Sequence, residues 1–205
     1  MHLQRPLILA SASPRRRRLL EKLDLDFDTQ IPTVIEISIP DDPPKTAQEN
    51  ARLKYTWCHS REPGALIIAA DTVIDLDGRL IGKPQSREEA ANFLRAFSGR
   101  EHNVLTAVAL TPHRACSGAR LTNAGDTPAI TLVISRVRFR PLSPRDIDAY
   151  LDVVHPLDKA GADDIDDHGA MIIAGYDGSW SNITGLPMEI ITPWLARWSI
   201  PAPTP

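Results

Sequence analysis

Unbroken apolar runs and alternating ones divide the chain into elements. The runs 7–10 and 65–70 have the length and flanks of buried strands. Ser13-Pro14 supplies an N-cap and a first-turn proline, predicting a helix that ends near Asp24. A short strand is expected at 27–31. A proline-rich surface loop follows, then a helix over 46–60. Asp77-Gly78 is a hairpin turn signal between Val73-Ile74 and Leu80-Ile81. Ser86 and Glu89 have capping-box spacing and open a helix to about Phe97, closed by Ser98-Gly99. Strands are expected over 102–110 and 130–140. In the second, Ile130, Leu132 and Ile134 share one face, and arginines follow at 136, 138 and 140. The polar stretch 111–129 between them reads as an extended hairpin loop. A helix starts at Ser143-Pro144, and a Gly/Asp-rich loop spans 158–170. A strand at 171–174, a helix over 187–198 and a tail at 200–205 complete the chain, with "GYDGSWSN" a turn signal. Strands and helices mixed in this way predict an α/β fold on a mixed sheet. With no repeat and no clean linker, 1–205 is expected to form a single unit.

Composition narrows the function classes. The net charge of −3 gives no general attraction to nucleic acid or membrane, so basic chemistry must be local. No apolar stretch approaches the ~18 residues of a membrane span, and the N-terminus does not read as a signal peptide, so a cytoplasmic location is expected. Cys58 and Cys116 lack metal-ligand spacing, and the six histidines lack zinc-site spacing.

The local basic feature is "SASPRRRRLL". At ~100° per residue, Leu19, Leu20 and Leu23 define an apolar stripe. Arg16 falls near its middle and Arg15 at its margin, whereas Arg17 and Arg18 lie on the opposite, solvated half. Cations at a helix N-terminus oppose its dipole, and an unpaired inward charge is costly. Arg15 and Arg16 therefore require an anion, either a carboxylate of this chain or a bound phosphate. Free N–H groups at the helix end and the hydroxyls of Ser11 and Ser13 would serve a phosphate.

Two carboxylates stand out. Asp71 ends the run 65–70, and an aspartate at a strand terminus suits a crevice site. Thr72 follows it with a hydroxyl. Glu36 lies in the apolar context "TVIEIS". Lys54 and Lys83 add cations. Carboxylates hold a divalent ion that bridges phosphate oxygens, while arginine and lysine bind the phosphates themselves. No Walker loop and no GxGxxG motif is present.

"LASASPRR", Glu36, Lys54, "AADTV", "GKP", "PLDKAGA" and "GSWSNITGLP", in this order, resemble the Maf family of nucleoside triphosphate pyrophosphatases. The resemblance runs over nearly the whole chain. It implies an elongated mixed sheet flanked by helices, with a cleft between two lobes. It also implies a cytoplasmic homodimer that uses a divalent cation (Mg²⁺, Mn²⁺ or Co²⁺), with no nucleic-acid or membrane partner. The implied reaction is hydrolysis of a nucleoside triphosphate to the monophosphate and pyrophosphate. By the same resemblance Asp71 is the proton acceptor and holds the metal with Glu36. Ser11, Ser13, Arg15, Arg16, Lys54 and Lys83 line the phosphate and nucleotide site.

Arg15, Thr72 and position 166 fall where base choice is tuned. The first two resemble the branch acting on dTTP and UTP. The loop departs from it: Asp166 stands where that branch has glutamine, and Asp163 where it has tyrosine. A carboxylate only accepts hydrogen bonds, whereas an amide also donates, so the preferred base would change. A nucleotide-binding regulatory module without efficient turnover, linked to cell division, is the alternative expectation.

Overall fold

An α/β fold is built around one long strand. The computed structural model describes residues 2–113, 127–155, 161 and 168–200. In chain order the elements begin β1 (His2–Leu3), β2 (Leu7–Ala10), α1 (Pro14–Glu21), β3 (Asp28–Gln30) and α2 (Pro43–His59). Next come β4 (Leu66–Leu76), β5 (Arg79–Ile81), α3 (Arg87–Phe97), β6 (Glu101–Leu110), β7 (Ala129–Phe139) and α4 (Pro144–Val153). A 3-10 turn (Gly169–Met171), β8 (Ile173–Asp177), α5 (Trp180–Thr184), α6 (Met188–Ala196) and β9 (Ser199–Ile200) complete them. The seven-stranded sheet has the order β3-β2-β4-β6-β7-β8, with β5 paired to β4. β3, β2 and β4 run parallel, and the remaining pairings are antiparallel.

β4 shows why the core divides into three. Its side chains alternate between faces. Ile67, Ala69 and Val73 pack with Ala47, Ala51, Tyr55 and Cys58 of α2 on one face. On the other, Leu66, Ile68 and Ala70 pack with Leu19 and Leu20 of α1 and Ile191, Trp194 and Leu195 of α6. Further along that second face, Ile74 and Leu76 pack with Leu94 and Phe97 of α3 and Tyr150 and Leu151 of α4. Thr72 falls between these two apolar clusters.

Several boundaries differ from expectation, each for a local reason. β4 does not end at Ala70 but runs on to Leu76, because β6 pairs it from Ile68 to Asp75. α2 begins at Pro43. Asp42 caps it by accepting from the Lys45 N–H at 3.0 Å, and its two prolines sit in the first turn, where a missing N–H costs nothing. The Ser86 box is half made: Ser86 accepts from the Glu89 N–H, but the Glu89 carboxylate accepts from the Gln85 N–H instead. The complete box is Ser143 with Asp146. "GYDGSWSN" is more than a turn, since Ser179 caps α5. The strand expected at 171–174 starts at Ile173, after the 3-10 turn. Of the tail expected at 200–205, Ile200 belongs to β9, which pairs with His2–Leu3, and 201–205 lie outside the described residues. The hairpin at Asp77-Gly78 has both residues at positive φ, +55° and +82°, as a two-residue type I′ turn requires. Within the expected loop 111–129, residues 114–126, Cys116 among them, lie outside the described residues. No helix among the described residues is long and apolar enough to cross a membrane.

Candidate active site

The site follows from a gap along β4. On one edge β6 pairs it throughout its middle. On the other edge β2 stops at the Ala10–Ala69 pair, and β5 takes over only from Ile74. Residues 70–73 have no described strand beside them on that edge. A cleft of about 490 Å³ opens there. Asp71 is therefore not at a strand terminus. It stands mid-strand, at the point where one neighbouring strand has ended and the next has not begun. Successive strand residues point to opposite faces, so Asp71 and Thr72 reach the cleft from opposite sides of the sheet. Eight of the expected residues, Ser13, Arg15, Arg16, Glu36, Lys54, Asp71, Thr72 and Lys83, share this cleft.

On the α2 side the chemistry is ionic. Lys54 Nζ lies 2.6 Å from Asp71 Oδ1 and 2.7 Å from Glu36 Oε1. Lys54 and Asp71 are largely buried, and the Glu36 side chain is 53% exposed. Burial pushes the Asp71 carboxyl above its ordinary pKa despite Lys54 and Arg16, and the charge of Glu36 pushes the same way. Burial also opposes ionisation of Glu36, but the hydrogen bond and charge of Lys54, with Lys83 and Arg16, outweigh it and hold Glu36 below the usual value. The two carboxylates thus share one ammonium but differ in basicity. Asn50, one turn before Lys54, donates to Asp71 Oδ2 at 3.3 Å.

On the opposite side the site is polar and neutral apart from arginine. Arg16 is directed inward, as its place on the helix predicts, but among the described residues it bonds no carboxylate. Its Nε donates to Gly185 O (2.7 Å), Nη2 to Thr72 Oγ1 (2.9 Å) and Nη1 to Ser11 Oγ (3.3 Å). The carboxylates expected to compensate it are bonded by Lys54 instead. Burial lowers the pKa of Arg16, partly offset by the charge of Asp71 across the sheet edge. The chain of hydroxyls beyond it has a defined direction. Thr106 Oγ1 donates to Asn182 O (3.0 Å), so the Thr72–Thr106 contact (2.9 Å) has Thr72 as donor. Thr72 therefore accepts from Arg16 and donates to Thr106. Asn182 continues the polar layer through Ser135 Oγ (2.9 Å). Gly185 has φ +109°, and a Cβ there would meet Thr72 Oγ1 at 3.2 Å and Arg16 Nε at 3.4 Å, so glycine is what lets this junction close.

The remaining expected residues are placed as follows. Ser11 is buried rather than on the cleft wall, and its Oγ accepts from the Ser13 N–H and from Arg16. Ser13 accepts from the Arg16 N–H, and Pro14 has none, so the helix end offers fewer free donors than expected. Lys83 lines the same cleft. The preceding residue, Gly82, accepts at its carbonyl from the Gly161 N–H (2.9 Å). Asp163 and Asp166 lie outside the described residues. Arg17 pairs with Glu21 on the surface at 2.9 Å. Asn50 and Thr106 escaped sequence reasoning, and Asn182 and Gly185 entered it only within "GSWSNITGLP", with no role attached. Asn50 carried a signal of its own: with Thr46 and Lys54 it forms a polar row at four-residue spacing along an otherwise apolar helix face.

The sequence profile of the Maf-like protein family matches residues 6–198, and the chain belongs to that family. Among its relatives, a dTTP/UTP pyrophosphatase of Myxococcus xanthus is 40% identical over 203 residues, covering 96% of this chain and 94% of the relative. One of Symbiobacterium thermophilum is 37% identical over 196 residues, covering 95% of each. One of Thermotoga maritima is 36% identical over 191 residues, covering 92% of this chain and 87% of the relative.

Proposed function

We propose that this protein hydrolyses nucleoside triphosphates to the monophosphate and pyrophosphate, with dTTP and UTP the first substrates to try. The observation that carries the reading is the convergence of Asp71 and Glu36 on Lys54 at a gap in the sheet, with Arg15 and Lys83 on the same cleft. Names shared by relatives of nearly full coverage support the same reading.

Two oxygen-donor carboxylates that already meet around one cation suit a hard divalent ion such as Mg²⁺ or Mn²⁺. No group of three or more His, Cys, Asp or Glu side chains suited to a metal occurs among the described residues. Asp71 and Glu36 would hold the ion, and substrate phosphates and water would complete its shell. Such an ion supplies charge stabilisation to the phosphates.

The chain's own residues do the rest. Asp71 takes a proton from water as its oxygen bonds to the α-phosphorus. The bond from the α-phosphorus to the α–β bridging oxygen breaks, and pyrophosphate leaves. Lys54 holds Asp71 at Oδ1 and Asn50 holds it at Oδ2, which fixes the orientation of this carboxylate. Arg15, Lys83 and the Ser13 hydroxyl bind the phosphates. Arg16 supports this wall by holding Thr72 and Gly185 in place. Base choice falls to Arg15, Thr72 and Asp166.

The test is pyrophosphate release from a panel of normal, methylated and deaminated triphosphates with Mg²⁺ or Mn²⁺, comparing the parent with Asp71→Asn. Turnover by the parent and its loss in the variant are expected. Saturable nucleotide binding without turnover by the parent would overturn the reading. Asp166→Gln is expected to change the substrate ranking, and an unchanged ranking would remove position 166 as a selector.

A further inference from the structure

Glu36 lies on a strap, residues 31–39, that belongs to no strand, yet it meets Lys54 at 2.7 Å. The strap is held by a row of side chains on α2. Ile39 donates its N–H to Thr46 Oγ1 (3.0 Å), and the Thr46 hydroxyl lies 3.3 Å from Ile39 O. Ile37 donates its N–H to Asn50 Oδ1 (2.8 Å) and accepts from Asn50 Nδ2 at its carbonyl (3.0 Å). Thr46 and Asn50 are 2% and 3% exposed, so these bonds are shielded from water. The spacing is metrical. Two residues of extended chain advance about 6.6 Å, and four helical residues about 6 Å. Alternate strap residues therefore meet successive turns of α2, as if the helix were a neighbouring strand.

We propose that Asn50 is a positioning residue that sets Glu36 and Asp71 relative to one another. Its carboxamide is fully committed. The oxygen accepts from Ile37, one N–H goes to Ile37 O, and the other goes to Asp71 Oδ2. No flip of the amide preserves all three bonds. Ile37 is bonded directly to Glu36 in the chain, so one side chain fixes the strap register at one acid and the carboxylate orientation of the other. Thr46 performs only the first of these tasks, two residues further along. The kinetic half of this proposal rests on the pyrophosphatase reading, and the structural half does not.

Two measurements test it. In amide hydrogen exchange of the full-length protein, Asn50→Ala is expected to speed exchange at Ile37 by at least about tenfold while leaving Ile39 protected. Thr46→Val is expected to do the reverse. In hydrolysis, Asn50→Ala is expected to lower kcat on the order of 10–100-fold with KM within about threefold, since a small misplacement of reacting groups costs rate rather than affinity. Asn50→Asp keeps an acceptor for the Ile37 N–H but has no donor for Asp71. It should retain protection at Ile37 and still lose kcat. Unchanged exchange at Ile37 in Asn50→Ala would overturn the ladder. A lower melting temperature with kcat per active site unchanged would overturn the positioning role. Absence of turnover in the parent would instead overturn the pyrophosphatase reading, and the exchange data would still decide the ladder.

Discussion

Asp71 and Thr72 are neighbours in the chain and face opposite sides of one sheet, and their surroundings could hardly differ more. Asp71 looks toward α2, where three charged groups share two short ion pairs. Thr72 looks toward α1 and α5, where a single arginine is satisfied by a carbonyl and two hydroxyls. One face concentrates groups whose charge and basicity can be put to chemical use. The other is a directed hydrogen-bond chain that fills the space between two apolar clusters. The difference teaches that an inward arginine can be tied to its own fold without a carboxylate partner. Three of the five N–H groups of Arg16 go to neutral partners of the fold.

The largest effect expected from breaking this contrast is on turnover. Asp71→Asn should lower kcat by about 10²–10⁴ in steady-state hydrolysis. The melting temperature should change little, because the substitution also removes a carboxylate that burial disfavours. Acid unfolding would blur the comparison unless a third group is accounted for. His102 is buried beside Phe97 and Phe139, with ring centroids 4.6 and 5.3 Å away, and burial lowers its pKa from 6.5 to about 4. The unfolded chain binds a proton there at higher pH than the folded one, so stability is intact above pH 6.5 and falls toward pH 4. The loss approaches about 3 kcal/mol. Urea titrations across this range should show the slope, and His102→Phe should remove it. Were the slope to survive, Glu36, whose pKa the fold lowers, would be the candidate source, because the raised pKa of Asp71 acts in the opposite direction.

Smaller effects sharpen the other face. Arg16→Met deletes three hydrogen bonds and strands Gly185 O, at an expected cost of about 2–3 kcal/mol in urea unfolding. Thr72→Val breaks one link of the same chain and should cost about 1–2 kcal/mol. A loss of kcat with full stability in Arg16→Met would mean that Arg16, like Thr72, acts on the substrate and not only on the fold. The smallest change is the control: Arg17→Ala removes an exposed pair with Glu21 and should shift stability by no more than about 0.5 kcal/mol.

Much of this was legible residue by residue. The Ser13 cap, the Asp77-Gly78 hairpin and the division of four arginines into a half-buried and an exposed pair follow from spacing alone, and the structure agrees with each. The two-residue strands β1 and β9 left no pattern, because two residues define no period. The Ser86 box misled because Gln85, one residue earlier, offers Glu89 a competing donor. Asn50 and Thr46 looked like polar residues on a helix, and nothing along the chain reveals that their partners are backbone groups 13 and 7 positions away. Thr106 and Asn182, 76 residues apart, become a pair only when α5 folds back onto β6.

The sequence by itself determined most of the longer helices and strands, the Ser13 cap and the tight turn at Asp77-Gly78, and which arginines turn inward. These outcomes depend on side-chain period and on groups within a few residues, and so they are written locally. The tertiary structure alone decided that β2 stops opposite Ala69 while β5 begins at Ile74, which leaves Asp71 at an open edge in mid-strand. It also decided that Lys54, not Arg16, bonds the two carboxylates. Both outcomes depend on which distant strand or helix arrives beside a residue. That is settled by packing of the whole sheet between its helices, and no local pattern encodes it.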